Sequence, residues 1–316
     1  MSTPITAQPK KKRDPRNGLK MSASLATVFT ILGHTVFGFE QPVAQVFVAL
    51  ITGYSCAFFF EWIDAKACGC KPAYEGGGWR NKFNFLLAPH MTSITLSFLL
   101  YFGERMWIMA LTVALAIGSK HVFRVRTNGR LQHFMNPSNF GIAIVLITYQ
   151  WTGVLPWNFT VDIHNPWDIL VPLAIVMLGT RLNLLFTGRV PSILSWLGTF
   201  ILLGIARSFI RGTPLPAELV VLTGIPMVLF TFYMITDPQT SPSRLRSQIL
   251  FGCSIAVTYF VLLTLHVQYM MFYSVTIVCA ARGACLLLAS LRAPVPIVAE
   301  TVAVPEVAKS RAASVG

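Results

Sequence analysis

Two short polar clusters interrupt an otherwise apolar chain, and both hold residue types that bind ligands or cap helices. The first is Thr236-Asp237-Pro238-Gln239-Thr240-Ser241-Pro242, inside the stretch FTFYMITDPQTSPSRLR at 230–246. A carboxylate, hydroxyls and helix-breaking prolines follow an apolar run there, and Arg244 and Arg246 come next. At the end of a membrane helix such groups cost on the order of several kcal/mol unless protein, water or a ligand satisfies them. The second is GRLQHFMNPSNFGI at 129–142. Asn136 before Pro137 disfavours helix at that point, Ser138 and Asn139 can cap the helix that follows, and Arg130 and His133 stand just upstream. Each cluster has two readings. One is a cytoplasmic turn with a helix cap. The other is a site where Asn136, Ser138, Asn139, Thr236, Asp237, Thr240 and Ser241, with the free amides of a helix N-terminus, hold an anion or cofactor, Arg130 and His133 adding charge.

Other candidates are weaker. Arg282 lies in an apolar run, where an arginine either pairs, for example with Asp237, or snorkels to the inner interface. Cys68 and Cys70 form a Cys-Gly-Cys in a polar loop and bind a metal only if further ligands converge on them. The remaining cysteines sit in apolar runs and pack, so no metal ligand is assigned. His34 and His90 lie in or at the edge of spans toward opposite faces, which disfavours a bis-histidine haem. There is no Walker loop, HExxH helix or dinucleotide fingerprint, and Gly76–Gly78 follow no strand. No nucleophile has an evident base, so no catalytic residue is assigned.

The elements that must position these clusters are membrane helices. Of 316 residues 54% are hydrophobic and 12% charged, with a mean hydropathy of +0.62, which excludes an ordinary soluble domain. The expected class is an all-α integral membrane protein in contact with the lipid bilayer. The net charge of +13 would suggest nucleic acid for a soluble protein. Here it lies between apolar runs and reports topology, so no nucleic-acid partner is expected.

Apolar runs fall near 21–39, 42–60, 84–102, 106–119, 138–154, 167–181, 190–210, 218–236, 248–265 and 268–290, a working count of ten spans. The fourth and sixth are short, as tilted, broken or re-entrant segments would be. With the N-terminus inside, only Arg105, Arg207 and Arg211 fall outside and Arg282 within a span; every other Lys and Arg is cytoplasmic, so both termini are expected inside. Ten spans divide into five plus five, and because five is odd the halves would be inverted. Residues 1–20 read as a disordered basic tail rather than a signal peptide, 21–292 as the transmembrane domain, and 293–316 as a second disordered cytoplasmic tail. The long outer loop at 151–168 carries Trp151, Trp157 and Trp167, an interfacial aromatic belt.

At the two polar clusters the sequence resembles the RnfD/NqrB family of membrane subunits from ion-motive electron-transport complexes, in which an FNPA-like and a TDP-x-TSP-like turn recur in a ten-span protein. More of the chain is similar to the UnbU-like branch, membrane proteins of enediyne biosynthesis clusters. The matching segments are 83–101, 119–142, PWNFT at 156–160, 230–242, LHVQY at 265–269 and CAARGACLLL at 279–288, spread over residues 20–292. The resemblance implies a bacterial cytoplasmic membrane protein acting as an accessory electron-transfer component in natural-product biosynthesis. Its implied partners are other membrane redox subunits or a biosynthetic enzyme. The family carries FMN on a threonine of an SGAT- or TGAT-type motif in the outer loop after the fifth span. This chain has WTGVLPWNFTVDIHNP there, and Thr152 and Thr160 lack the surrounding pattern. Covalent FMN is therefore not expected; the cofactor is left open, and the resemblance leaves room for a flavin or quinone held noncovalently. The rivals are a transporter or channel for a small metabolite or ion and a structural anchor for a partner enzyme.

Overall fold

Helices account for nearly all regular structure in the computed structural model, which describes residues 15–39, 41–127, 130–154 and 166–292. In chain order they are α1 (Pro15–Thr35), α2 (Val43–Cys68), α3 (Gly78–Leu99), α4 (Met106–Val122), α5 (Pro137–Thr148), α6 (Trp167–Leu182), α7 (Val190–Arg211), α8 (Leu215–Leu219), α9 (Ile225–Leu229), α10 (Leu245–Thr264) and α11 (Met270–Arg292). A π-helical turn, Asn183–Thr187, prolongs α6; a 3-10 turn, Val220–Thr223, prolongs α8; a second π-helical turn, Phe230–Met234, prolongs α9.

Every apolar run expected from the sequence is helical over most of its length, but among the described residues only five helices are long and apolar enough to cross a membrane. These are α2, the α6 segment Ile169–Thr187, α7, α10 and α11. A sixth is counted if Leu215–Thr223 and Pro226–Met234, bent by 66°, form one broken span. Length and composition therefore do not reach ten. The fourth run is short as expected, its helix α4 having 17 residues, but the rest of the shortfall lies elsewhere. The sixth run is rescued by its π turn, the fifth is the shortest at 12 residues, and the eighth is the broken one. The breaks follow from the sequence: Pro214, Pro216, Gly224 and Pro226 crowd the eighth segment, and each proline removes a backbone donor. Helix α1 starts at Pro15, ahead of the run expected from 21. The C-terminal tail and residues 155–165 of the outer loop, with Trp157 and Thr160, lie outside the described residues.

Tight helix packing uses small residues, as expected where lipid removes the hydrophobic drive between helices. A Cβ on Gly252 of α10 would stand 2.5 Å from the Ser192 carbonyl of α7. One on Gly141 of α5 would stand 2.7 Å from the Thr112 carbonyl of α4. Helix α2 packs on α3 and α4, and α4 on α5; in the same order α7 packs on α8 and α10, and α10 on α11, while α5 meets α11. The buried core runs through Trp196, Phe200, Phe230 and Phe272, and outward-facing Phe47, Ile51, Leu202 and Phe209 form an apolar surface suited to lipid.

Short strands tie the loops. β1 (Leu100–Tyr101) pairs antiparallel with β4 (Gly153–Val154), and β2 (Arg124–Thr127) with β3 (Arg130–His133), placing Arg124 opposite His133. That hairpin delivers the chain to Asn136. Its first strand is fastened to α2, since Arg124 Nη2 donates to Asp64 Oδ1 at 2.7 Å and His121 Nδ1 lies 2.6 Å from Asp64 Oδ2.

Candidate functional site at the paired turns

Asn136, not Ser138 or Asn139, caps α5. Its backbone is extended (φ −72°, ψ 118°), its side-chain oxygen accepts the Asn139 amide at 3.1 Å, and Pro137 follows in the first turn. Pro137 has no amide to orphan and presets the helical φ, so the cap falls one residue before it. Ser138 is already inside the helix, and the fully buried Asn139 receives the cap through its main chain. The other end of the Asn136 side chain reaches across the bundle, where Nδ2 donates to the Met234 carbonyl at 3.1 Å. The NPSN cluster is thus bonded to the π-helical turn that leads into Thr236–Pro242, 98 residues away in sequence.

The second turn is held by its own side chains and by two arginines. Asp237 Oδ1 accepts the Gln239 amide at 3.2 Å and Oδ2 accepts the Thr240 hydroxyl at 3.0 Å. Ser241 Oγ donates to the Asp237 carbonyl at 2.6 Å, and Thr236 Oγ1 donates to the Phe232 carbonyl at 2.7 Å. Arg282 donates from Nη1 to the Thr240 carbonyl at 2.7 Å. The expected pairing of Arg282 with the Asp237 carboxylate is therefore not made, because that carboxylate is turned inward onto its own loop. Arg282 satisfies a main-chain oxygen instead.

Arg189, one of the cations expected on the cytoplasmic side, is more deeply placed than a loop cation. It is buried just ahead of α7, with Nε donating to Ser241 Oγ at 2.8 Å and Nη2 to the carbonyls of Pro238 at 3.1 Å and Ser241 at 3.2 Å. Asn183 was also missed. It donates to the Gly179 carbonyl at 2.9 Å and the Phe232 carbonyl at 2.8 Å, so Asn136 and Asn183 together occupy carbonyls of the Phe230–Met234 π turn. The signal for Asn183 was a lone amide inside the apolar stretch LNLLF; for Arg189 there was none beyond its charge.

Asp237 supplies the negative charge felt by Lys120, His133 and Arg189. Lys120 donates to Thr92 Oγ1 at 2.9 Å between α4 and α3. His133 is half-buried. Desolvation, aided by Lys120, His121 and Arg124 against the opposing pull of Asp237, pushes it down to about 4, so it is neutral at physiological pH. Lys120 and Arg189 thus both feel the Asp237 charge, while Arg282 bonds the main chain of the same loop, so cations outnumber the carboxylate around this turn. The side chain of Arg130 lies outside the described residues.

Two shallow surface grooves lie elsewhere: one of about 340 Å³ lined by Val176, Met177, Thr180, Arg181, Leu184 and Leu185, and one of about 300 Å³ along Leu203, Val257 and Phe260. Thr152 spends its hydroxyl on the Tyr149 carbonyl at 2.7 Å. Cys68 and Cys70 are exposed, and among the described residues no three His, Cys, Asp or Glu side chains come together as a metal set would require.

No family model matches the chain, and no curated protein matches it. Membrane embedding rests on the apolar helices themselves.

Proposed function

We propose that this is a ten-span membrane protein of RnfD/NqrB-like construction that serves as an accessory electron-transfer component, holding a flavin or quinone noncovalently at the paired turns. The observation that carries the reading is the Asn136–Met234 hydrogen bond, because it ties the NPSN turn to the helix end from which the TDPQTSP turn starts. The basic surround of Lys120, Arg189 and Arg282 suits a reduced, anionic cofactor or its phosphate. Two inverted halves, α1–α5 and α6–α11, are supported by the repeated packing order and by matching straps. Gln45 at the start of α2 donates to the Ser97 and Leu100 carbonyls at the end of α3, each at 2.9 Å. Arg189 at the start of α7 does the same to the loop after α9. In this arrangement α1, α3, α4 and α5 complete the span count as short or polar helices shielded by their neighbours, and both termini face the cytoplasm of a bacterial cell. A partner would be another membrane redox subunit or a biosynthetic enzyme. Flavin and quinone binding to the purified protein tests the reading.

A second reading, passage of a small metabolite or ion, is favoured by the bent eighth segment and by the half-buried Lys120 bonded to Thr92. Broken helices with polar groups between halves are where transporters bind their solutes. Solute flux in liposomes that fails on Asp237→Asn or Arg282→Gln substitution would favour it.

A further inference from the structure

Helices α7 and α10 run side by side in one direction. Gln248 at the start of α10 donates from Nε2 to the Gly188 carbonyl just ahead of α7 at 3.2 Å, and further along the Phe200 and Phe260 rings meet at 4.9 Å. Both helices are long and apolar enough to cross a membrane, so the groove of about 300 Å³ between them faces lipid. Leu203 lines it from α7, and Val257, Phe260, Val261, Thr264 and Leu265 line it from α10. Val257, Val261 and Leu265 are exposed and recur every four residues, which makes them one apolar stripe along the helix.

The groove lies along the second half of each helix, toward the ends remote from the paired turns. Charge is unevenly matched there. Leu203, Arg207 and Arg211 also recur every four residues, so both arginines continue the face of α7 that Leu203 begins. Arg207 Nη1 donates to Glu218 Oε2 on α8, and Thr213 Oγ1 donates to Glu218 Oε1 at 2.7 Å. Arg207 Nε is left buried with no hydrogen-bond partner, an orphaned donor on a charged group, which native structures rarely leave unmet. Tyr259, the neighbour of Phe260 on α10, also lies in the field of Arg207, so this cation stands between α8 and the helix that carries the groove. Arg211 is exposed and makes no ion pair among the described residues. Two cations against one carboxylate leave a surplus positive charge at the end of an apolar trough.

We propose that this trough binds a phospholipid with an anionic headgroup. An acyl chain lies along Leu203, Val257 and Val261, and the phosphate takes Arg211 and the free Nε of Arg207. A second copy of the chain fits less well, because an apolar helix face laid into the trough leaves the surplus cation unpaired. Bound there, the headgroup is joined through Arg207 to α8 and so steadies the bent eighth segment. The inference rests on the two apolar helices and is independent of what the paired turns hold.

Thermal unfolding in mild detergent tests it, because a lipid that binds the folded state raises the midpoint by mass action. Phosphatidylglycerol should raise the midpoint by several degrees more than phosphatidylcholine of the same chains. Val261→Trp, which fills the trough from an exposed position, should remove most of the gain from either lipid. Arg211→Gln should bring the phosphatidylglycerol gain down to that of phosphatidylcholine, and Arg244→Gln with Arg246→Gln, at the opposite helix end, should leave it unaltered. Each variant is compared with its own midpoint without lipid, so a loss of intrinsic stability does not enter. Equal gains from the two lipids in wild type, or a phosphatidylglycerol gain that survives Val261→Trp and Arg211→Gln, would overturn the proposal. A gain lost only with Arg244 and Arg246 would place the lipid at the other end and overturn it too, as would a dimer that Val261→Trp dissociates without lipid, which would assign the trough to a second copy.

Discussion

Asn136 donates its side-chain amide to the main-chain carbonyl of Met234 at 3.1 Å while its other end caps α5. One side chain thereby starts a helix and ties it to the π-helical turn that leads into the second polar cluster. Replacing it by alanine removes a cap, worth about 1 kcal/mol, and strands a buried carbonyl at a further cost of about 1–3 kcal/mol. Asn136→Asp keeps the cap and loses the donor. Thermal unfolding in detergent should place alanine lowest, aspartate between, and wild type highest; equal midpoints for alanine and wild type would show that the junction contributes nothing.

Arg189 and lysine are not interchangeable at the second turn. The guanidinium reaches Ser241 Oγ and the Pro238 and Ser241 carbonyls at once, a planar fork that an ammonium cannot reproduce. Arg189→Lys should lose nearly as much stability as Arg189→Met, read by chemical unfolding in micelles. Full rescue by lysine would mean that charge alone matters there.

Close backbone approach between α7 and α10 depends on Gly252. An added Cβ meets the Ser192 carbonyl at 2.5 Å and the Trp196 amide at 2.9 Å, neither of which is a flexible side-chain tip. Gly252→Ala should cost about 1–3 kcal/mol through overpacking. Gly198→Ala, where nothing lies within 4 Å, should be neutral or slightly stabilising, since it also removes a helix-interior glycine. The pair of melting temperatures checks the packing directly.

The lowered pKa of His133 sets a pH window. In the unfolded chain it binds a proton at its ordinary value near 6.5, and in the fold only at about 4. Between those values the unfolded state holds more protons, so stability falls as pH drops from 6.5 toward 4 and is fully retained above it. His133→Gln should flatten that part of the stability profile. An unchanged slope would assign the acid sensitivity to other groups.

Much of this was legible in the chain, and the reasons for the rest are physical. Apolar run length located every helix, because burial in lipid requires continuous hydrophobicity. It could not show that Phe230–Met234 and Asn183–Thr187 are π-helical, since that depends on which side chains donate to the displaced carbonyls. Asn136-Pro137 announced a helix start by local chemistry, though the cap proved to be the asparagine itself. Asp237 announced a turn but not the direction of its carboxylate, which the Thr240 hydroxyl and the Gln239 amide decide. Arg189 was invisible because a buried guanidinium satisfied by main-chain carbonyls has the same sequence signature as a solvated one. His90 of α3 bonds Thr27 of α1 and Tyr54 of α2, and nothing in the spacing of one helix reveals its neighbours.

Topology can be read from the exposed thiols of Cys68 and Cys70. With the other cysteines replaced by alanine, both should react with a membrane-impermeant maleimide in inside-out vesicles and be protected in right-side-out ones. The reverse pattern would invert the proposed orientation.

The most direct test of the central reading is ligand binding by the protein purified in mild detergent. Absorbance, acid extraction and titration with FMN and with a soluble menaquinone analogue should reveal a noncovalently held flavin or quinone, released by denaturation and weakened at least tenfold by Arg282→Gln. A colourless protein that yields no flavin or quinone on extraction and binds neither on addition would contradict it.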